Sequence, residues 1–148
     1  MLTIELVDEE GAQSADIKFL DQKIFENSFS KIGHYRYEPL VLILRDDHQN
    51  ARGGLHGQTG LGWLYIDVLW VAEENRAKGF GTQLMQAAEK EAVRRGCHSA
   101  YLYTYSFQQP EFYGKRGYEI FGQLDDFPDG HAKYFMQKSL GAEKSGPR

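Results

Sequence analysis

The spacing of apolar residues divides the chain into alternating short strands and helices. Residues 2–7, "LTIELV", predict a short strand. Over residues 12–29, Ile17, Leu20, Ile24 and Ser28 recur at three-to-four spacing, and Phe25 and Phe29 widen that face, which predicts a helix. "GHYRYEP" breaks the pattern, and "LVLILR" (40–45) is the continuous apolar run expected of a buried strand. "DDHQN" reads as a turn, "ARGGLHG" as a weak strand interrupted by glycine, and "GWLYIDVLWV" (62–71) as a strong strand rich in aromatic and β-branched residues. A helix follows over 79–95: Phe80, Leu84, Ala88 and Ala92 share a face with Met85 and Val93, and Lys90, Glu91, Arg94 and Arg95 take the other side. Glu91 and Arg95 have the favourable i, i+4 order, and Gly96 stands where a C-terminal cap belongs. "SAYLYTYSF" predicts a strand, "QPEFYGKR" a short helix with Pro110 in its first turn, "GYEIFG" a strand, "DDFPDG" a turn and "AKYFMQKSL" a last strand. The order β-α-β-β-β-α-β-α-β-β predicts an α/β (α+β) domain with a mixed sheet.

Composition narrows the function classes. The chain has 148 residues, 41% apolar and 26% charged, as in an ordinary globular domain. Its net charge of −4 argues against a general nucleic-acid binder. The single cysteine, Cys97, rules out an internal disulfide and a cysteine-based zinc site, the five histidines lack ligand spacing, and no metal is expected. No apolar run approaches the ~20 residues that span a bilayer. The early acidic N-terminus is unlike a signal peptide, so a cytoplasmic protein that does not act on membranes is expected. One domain over residues 1–140 and a polar, fraying tail over 141–148 are expected.

The candidate chemistry begins where the strong strand gives way to the long helix. Arg76-Ala77-Lys78-Gly79-Phe80-Gly81-Thr82 sets two glycines, two cations and a hydroxyl at a helix N-terminus. Unpaired N–H groups and the macrodipole make that position a natural phosphate site, and glycines there remove the Cβ atoms that would keep a phosphate away. On spacing alone the pair also reads as a helix-capping turn. A dinucleotide fingerprint would need a third glycine where Leu84 stands, and no Walker A loop is present.

"RAKGFG" resembles the Arg/Gln-x-x-Gly-x-Gly/Ala loop of the GNAT acetyltransferase superfamily. "FYGKRGYEI" (112–120) resembles that family's Phe-Tyr-x-Lys-x-Gly-Phe/Tyr segment, at a fitting distance. The resemblance covers residues 39–140 and extends to small bacterial-type members with "GWLYID-LWV", "FQ-PEFY" and "DFP-GH" segments. It implies a mostly antiparallel sheet of about six to seven strands, splayed in the middle to admit acetyl-CoA. Its pyrophosphate would meet backbone N–H groups near Ala77, Gly79, Phe80, Gly81 and Thr82, with Arg76 and Lys78 adding charge. Leu69, Trp70 and Val71 would pair with the pantetheine, and a backbone N–H there would meet the oxyanion. Tyr113 would be the acid that protonates the leaving thiolate; unperturbed phenol and thiol pKa values lie within ~2 units.

Asp67, a carboxylate inside an apolar strand, is the candidate base. Alternation sets it on the face of Tyr65, Leu69 and Val71, and burial would raise its pKa. His131 and a water chain are alternatives to it. The family pattern has Asn seven residues before the tyrosine and Ala three after that Asn. Here Ser106 and Gln109 stand in those places, and Ser106 would reach the pantetheine less far. Tyr101, Tyr103 and Tyr105 alternate onto one strand face, as do Trp63 and Tyr65, so an aromatic cage for a cationic amine is conceivable beside a packed aromatic sheet. Asp125, Asp126 and Asp129 would attract such an amine, and Phe25, Asn27 and Phe29 would line the site from the N-terminal helix. The expected activity is acetyl transfer to the primary amine of a small molecule, with a homodimer as an assembly the family allows. Acetylation of a protein lysine or peptide N-terminus, and a non-catalytic acyl-CoA sensor, are the alternatives.

Overall fold

The computed structural model describes residues 1–7 and 15–141. They fall into two compact units, residues 1–35 and the remainder from Arg36 onward. In the first unit, residues 1–7 adopt no regular structure, which corrects the strand expected over 2–7. The helix expected over 12–29 is α1 (Ala15–Ile32). Residues 12–14 of that expectation, and 142–148 of the expected tail, lie outside the described residues. Phe25 of α1 meets the rings of Phe29 and Tyr35, with centroids 6.3 and 5.2 Å away.

The second unit carries β1 (Glu38–Arg45), β2 (Ala51–Gly60), β3 (Trp63–Val71), α2 (Phe80–Arg94), β4 (Ser99–Tyr105), α3 (Pro110–Gly114), β5 (Glu119–Asp125) and β6 (Ala132–Ser139). Its sheet has six strands in the order β1-β2-β3-β4-β6-β5. All neighbours are antiparallel except β3 and β4, which α2 connects. The mixed, mostly antiparallel sheet expected above is therefore present.

The run 40–45 is not a buried strand. β1 is an edge strand with Leu40 in the core while Val41 and Ile43 face outward. β2 is continuous across its glycines. Gly57 explains one of them, because a Cβ there would lie 1.9 Å from the Tyr65 carbonyl oxygen of β3. At that point β3 bulges: His56 pairs with Val68 and Gly57 with Ile66, so Asp67 is an extra residue without a partner on β2.

Helix α2 covers one sheet face with Leu84, Met85, Ala88 and Ala92, all buried against Leu55, Leu64, Ile66 and Leu102. The two alanines let the helix lie close to the sheet. Val93, expected on this face, is exposed. The helix ends in a Schellman arrangement, Cys97 N–H donating to Ala92 O and Gly96 N–H to Val93 O, both at 2.9 Å. Arg95, expected on the solvent side, is instead half-buried. Its Nε meets Glu91 at 3.0 Å, and its Nη1 donates to Pro39 O at 3.0 Å and Thr59 Oγ1 at 3.1 Å, tying α2 to β1 and β2.

Candidate active site

The β3–β4 ladder is short. Pairing runs from Trp63↔Ser99 to Ile66↔Leu102 and stops. β3 continues to Val71 and β4 to Tyr105 without meeting, so from Asp67 onward β3 has no partner on its β4 side. A slot thus opens in the middle of the sheet, bounded on one side by the backbone of Asp67, Leu69, Trp70 and Val71.

The bulge alters which side chains face that slot. Leu69 and Val71 pack on the core with Leu64 and Ile66, whereas Tyr65 and Asp67 project from the other face. The alternation expected for Asp67, Leu69 and Val71 is corrected accordingly: one extra residue inverts the pattern beyond it. Asp67 is also not buried, with 48% of its side chain exposed. It accepts a hydrogen bond from the Tyr65 hydroxyl at 3.4 Å, and its other oxygen lies 3.9 Å from His56 Nδ1 on β2. Burial, aided by the Asp67 charge and by Tyr103, pushes the Tyr65 phenol well above its ordinary value. His56 was not expected here. It became a neighbour of Asp67 only through the register of β2 against the bulge.

Beyond β3, a single 3₁₀ turn (Glu73–Asn75) leads to Arg76 in extended conformation, then Ala77 at φ 60° and Gly79 at φ 84°. Gly79 caps α2 without any side-chain hydrogen bond, and the space a Cβ would take there is open. Left-handed residues followed by an uncapped helix start aim backbone N–H groups outward, as an anion requires. Gly81 also has a packing reason: its Cβ would crowd the Phe112 ring at 3.2 Å, so its absence seats α3 against α2. Arg76 is drawn back, its Nε donating to Val71 O at 2.9 Å, and Lys78 is exposed beside Gly79.

Arg116, which the sequence reading missed, completes this corner. Its Nε donates to Thr82 Oγ1 at 2.9 Å, its Nη2 bonds the same oxygen, and its Nη1 donates to Phe112 O at 2.9 Å. The guanidinium lies 4.1 Å from the Phe112 ring centroid. A cation fixed beside the positive end of a helix is unfavourable by itself and favourable once an anion joins it. The slot, the outward N–H groups and this cation together fit an elongated ligand with a diphosphate.

Tyr113 follows Phe112 on α3. Its ring meets Phe112 and Tyr118 edge-on, with centroids 5.2 and 6.2 Å away, and burial raises its phenol pKa. Its hydroxyl has no hydrogen-bond partner among the described residues, so its proton is uncommitted. Ser106 Oγ accepts from Ala132 N–H at 2.9 Å, closing β4 onto β6. His131 is exposed and lies edge-on to Phe107, with centroids 5.1 Å apart. Tyr105 stacks on Phe107 at 5.1 Å and on Phe127 at 5.9 Å. Phe25, Asn27 and Phe29 belong to the first unit, where Asn27 accepts Ser30 Oγ–H at its carbonyl. The aromatic face of β3 and β4 is real, with Tyr65 and Tyr101 stacked at 4.9 Å. The cage expected to await a cation already holds one, because Lys133 Nζ lies 3.8 Å from the Tyr103 ring centroid.

Known proteins agree with this architecture. The family model described as Acetyltransferase (GNAT) family matches residues 9–118. Acetyltransferase Atu2258 of Agrobacterium fabrum is 32% identical over 111 residues, 75% of this chain and 81% of that protein. Blasticidin-S acetyltransferase of Streptomyces morookaense is 36% identical over 89 residues, 60% of this chain and 65% of that protein. The crystal structure of an acetyltransferase from Bacillus cereus superposes with a TM-score of 0.84 at 30% identity, covering 93% of this chain and 97% of the other. A slotted sheet with a phosphate-type turn beside it, a matching family model and relatives along most of its length make this chain a member of the GNAT acetyltransferase family.

Proposed function

We propose that this protein transfers acetyl from acetyl-CoA to a primary amine of a small molecule, by direct attack in a ternary complex. The observation that carries the reading is the end of the β3–β4 ladder at Ile66 and Leu102, next to the outward-facing turn of Ala77 to Thr82. When bound, acetyl-CoA supplies an activated thioester carbonyl and a thiolate leaving group. The N–H groups of residues 77 to 82, with Arg116, would hold its phosphates. The unpaired β3 edge at Leu69, Trp70 and Val71 would pair with the pantetheine amides and would offer an N–H where negative charge develops on the carbonyl oxygen. Asp67, with His56, takes the proton from the ammonium, directly or through water, so that the amine attacks uncharged. Tyr113 would give its proton to the leaving thiolate. Burial raises the Tyr113 phenol, which keeps that proton in place until it is needed. Ser106, whose oxygen serves the strand junction, would still have its O–H to offer the pantetheine.

The relative named as a blasticidin-S acetyltransferase favours a small-molecule acceptor. We take residues 1–140 as one catalytic domain working in the cytoplasm. Among the described residues no helix is long and apolar enough to cross a membrane.

The test is acetyl-CoA-dependent thiol release across aminoglycosides, nucleoside antibiotics, polyamines, amino acids and lysine peptides. Saturable release with a small amine supports the reading. Release with peptides alone, or silence from protein shown to bind acetyl-CoA, overturns it. Cys97 is buried and its thiol pKa is raised by burial, so a no-substrate blank should be low.

A further inference from the structure

We propose that the acceptor carries a carboxylate at some distance from its amine, with a flat spacer between them, and that Lys133 is the residue that receives the carboxylate. The inference rests on the acetyl-transfer reading above. Lys133 lies on β6 opposite Tyr105 of β4, at a level beyond the last β3–β4 pair, with the width of β4 between it and the slot. Its ammonium sits among rings: 3.8 Å from the centroid of Tyr103, 4.9 Å from Phe127, 5.4 Å from Phe135 and 5.8 Å from Tyr105. Among the described residues it forms no ion pair. Asp125 accepts from the Gln123 amide at 2.8 Å and Asp126 from Gly130 N–H at 3.4 Å, and among the described residues neither pairs with Lys133. The rings leave the Lys133 side chain half-buried and partly stripped of water, so an incoming carboxylate meets a strong partner there.

The same face carries the opposite charge across the slot. Tyr103 lies 6.5 Å from Tyr65, and Tyr65 bonds Asp67, so the contacts run without a break from Lys133 to Asp67. A cationic amine fits the Asp67 end and an anion the Lys133 end. β3 and β6 are separated by β4, so the two ends stand at least two strand spacings apart, roughly 10 Å. An α-amino acid is too short for this. The rings between the ends, Tyr65, Tyr101 and Tyr103, favour a flat spacer. The specificity is thus for a zwitterion with separated charges, not for a polycation, which Lys133 repels.

The matched probes are 4-(aminomethyl)benzoate and 4-(aminomethyl)benzamide, titrated calorimetrically against the full chain with CoA present and then assayed for acetyl transfer. The benzoate should bind about tenfold more tightly than the benzamide. Lys133→Met should abolish that preference and leave CoA affinity unchanged, and Lys133→Arg should retain most of it. Equal affinities in the wild type, a preference that survives Lys133→Met, or no binding of either probe each overturn the proposal. The wild-type comparison decides even if a variant fails to fold. Carboxylate-selective binding without acetyl transfer would sink the transferase reading and leave the Lys133 site standing. Transfer to other amines with no carboxylate preference would do the reverse.

Discussion

Replacing Tyr113 by phenylalanine separates chemistry from packing unusually well in this structure. The substitution keeps the ring and therefore its edge-on contacts with Phe112 and Tyr118. It removes a hydroxyl with no hydrogen-bond partner among the described residues, so no bond is lost and no partner is orphaned. Stability should change by no more than about 0.5 kcal/mol. If the hydroxyl is the acid, turnover should fall by roughly 10²–10⁴, equivalent to about 3–5 kcal/mol in the barrier. Thiol release gives kcat and KM, calorimetry gives acetyl-CoA affinity and a thermal melt gives Tm. The expected pattern is a large fall in kcat with affinity and Tm unchanged.

The pH profile adds a second reading of the same variant. Burial raises the Tyr113 phenol above its ordinary value of 10.0, so the wild type should keep its acid protonated through neutral and mildly alkaline pH. Its turnover should decline only above pH 10, and Tyr113→Phe should lack that alkaline decline. A kcat within threefold of wild type refutes the acid assignment. A fall in kcat accompanied by an equal fall in Tm assigns the residue to packing instead.

Further outcomes concern other groups and the tyrosines together. Arg116→Met should weaken acetyl-CoA binding about tenfold, because one charge-assisted contact is removed from the start of α2; unchanged affinity by calorimetry would separate Arg116 from the phosphates. Arg95→Met leaves Thr59, a buried hydroxyl, and the Pro39 carbonyl without their donor, at about 1–3 kcal/mol or roughly 3–10 °C in Tm; an unchanged melt would show that water replaces the guanidinium. Tyr118 is 3% exposed with an unpartnered hydroxyl, so Tyr118→Phe should raise Tm by about 2–4 °C, and a lower Tm would reveal a hidden partner for that hydroxyl. Burial raises the phenols of Tyr65, Tyr101, Tyr113 and Tyr118 above the unfolded value. Above pH 10 the unfolded chain therefore binds fewer protons than the folded one, and stability is lost as pH climbs through the raised values. Tyr118→Phe should shallow that alkaline decline in Tm.

What the sequence made legible was local. The start and end of α2 depend on Gly79 and Gly96 and on residues within one turn of them, so the chain announces them. The strong strand, Pro110 at the head of α3 and the phosphate-type turn are local in the same sense. What it hid depended on partners far along the chain. Arg116 meets Thr82 from 34 residues away, and its charge read as surface until α3 was seen against α2. Lys133 sits at an outward position of a strand with alternating polarity, where a lysine needs no explanation until four rings are found around it. The edge position of β1 is likewise a fact of topology, which an apolar run cannot express.

The bulge at Asp67 illustrates the limit most sharply. Alternation along β3 alone puts Asp67, Leu69 and Val71 on one face, and nothing within that strand contradicts it. The correction comes from β2, where Gly57 lets the Tyr65 carbonyl approach a position no side chain could share. The glycine that had read as a break in a weak strand is thus what allows the neighbouring strand to gain a residue. That gain sends Leu69 and Val71 to the core while Asp67 stays outside beside His56, at the point where β4 departs. Had the alternation run unbroken, Leu69 and Val71 would have been turned out toward the acceptor face. The candidate base and the start of the slot therefore adjoin at this bulge, and a substitution at Gly57 should displace Asp67.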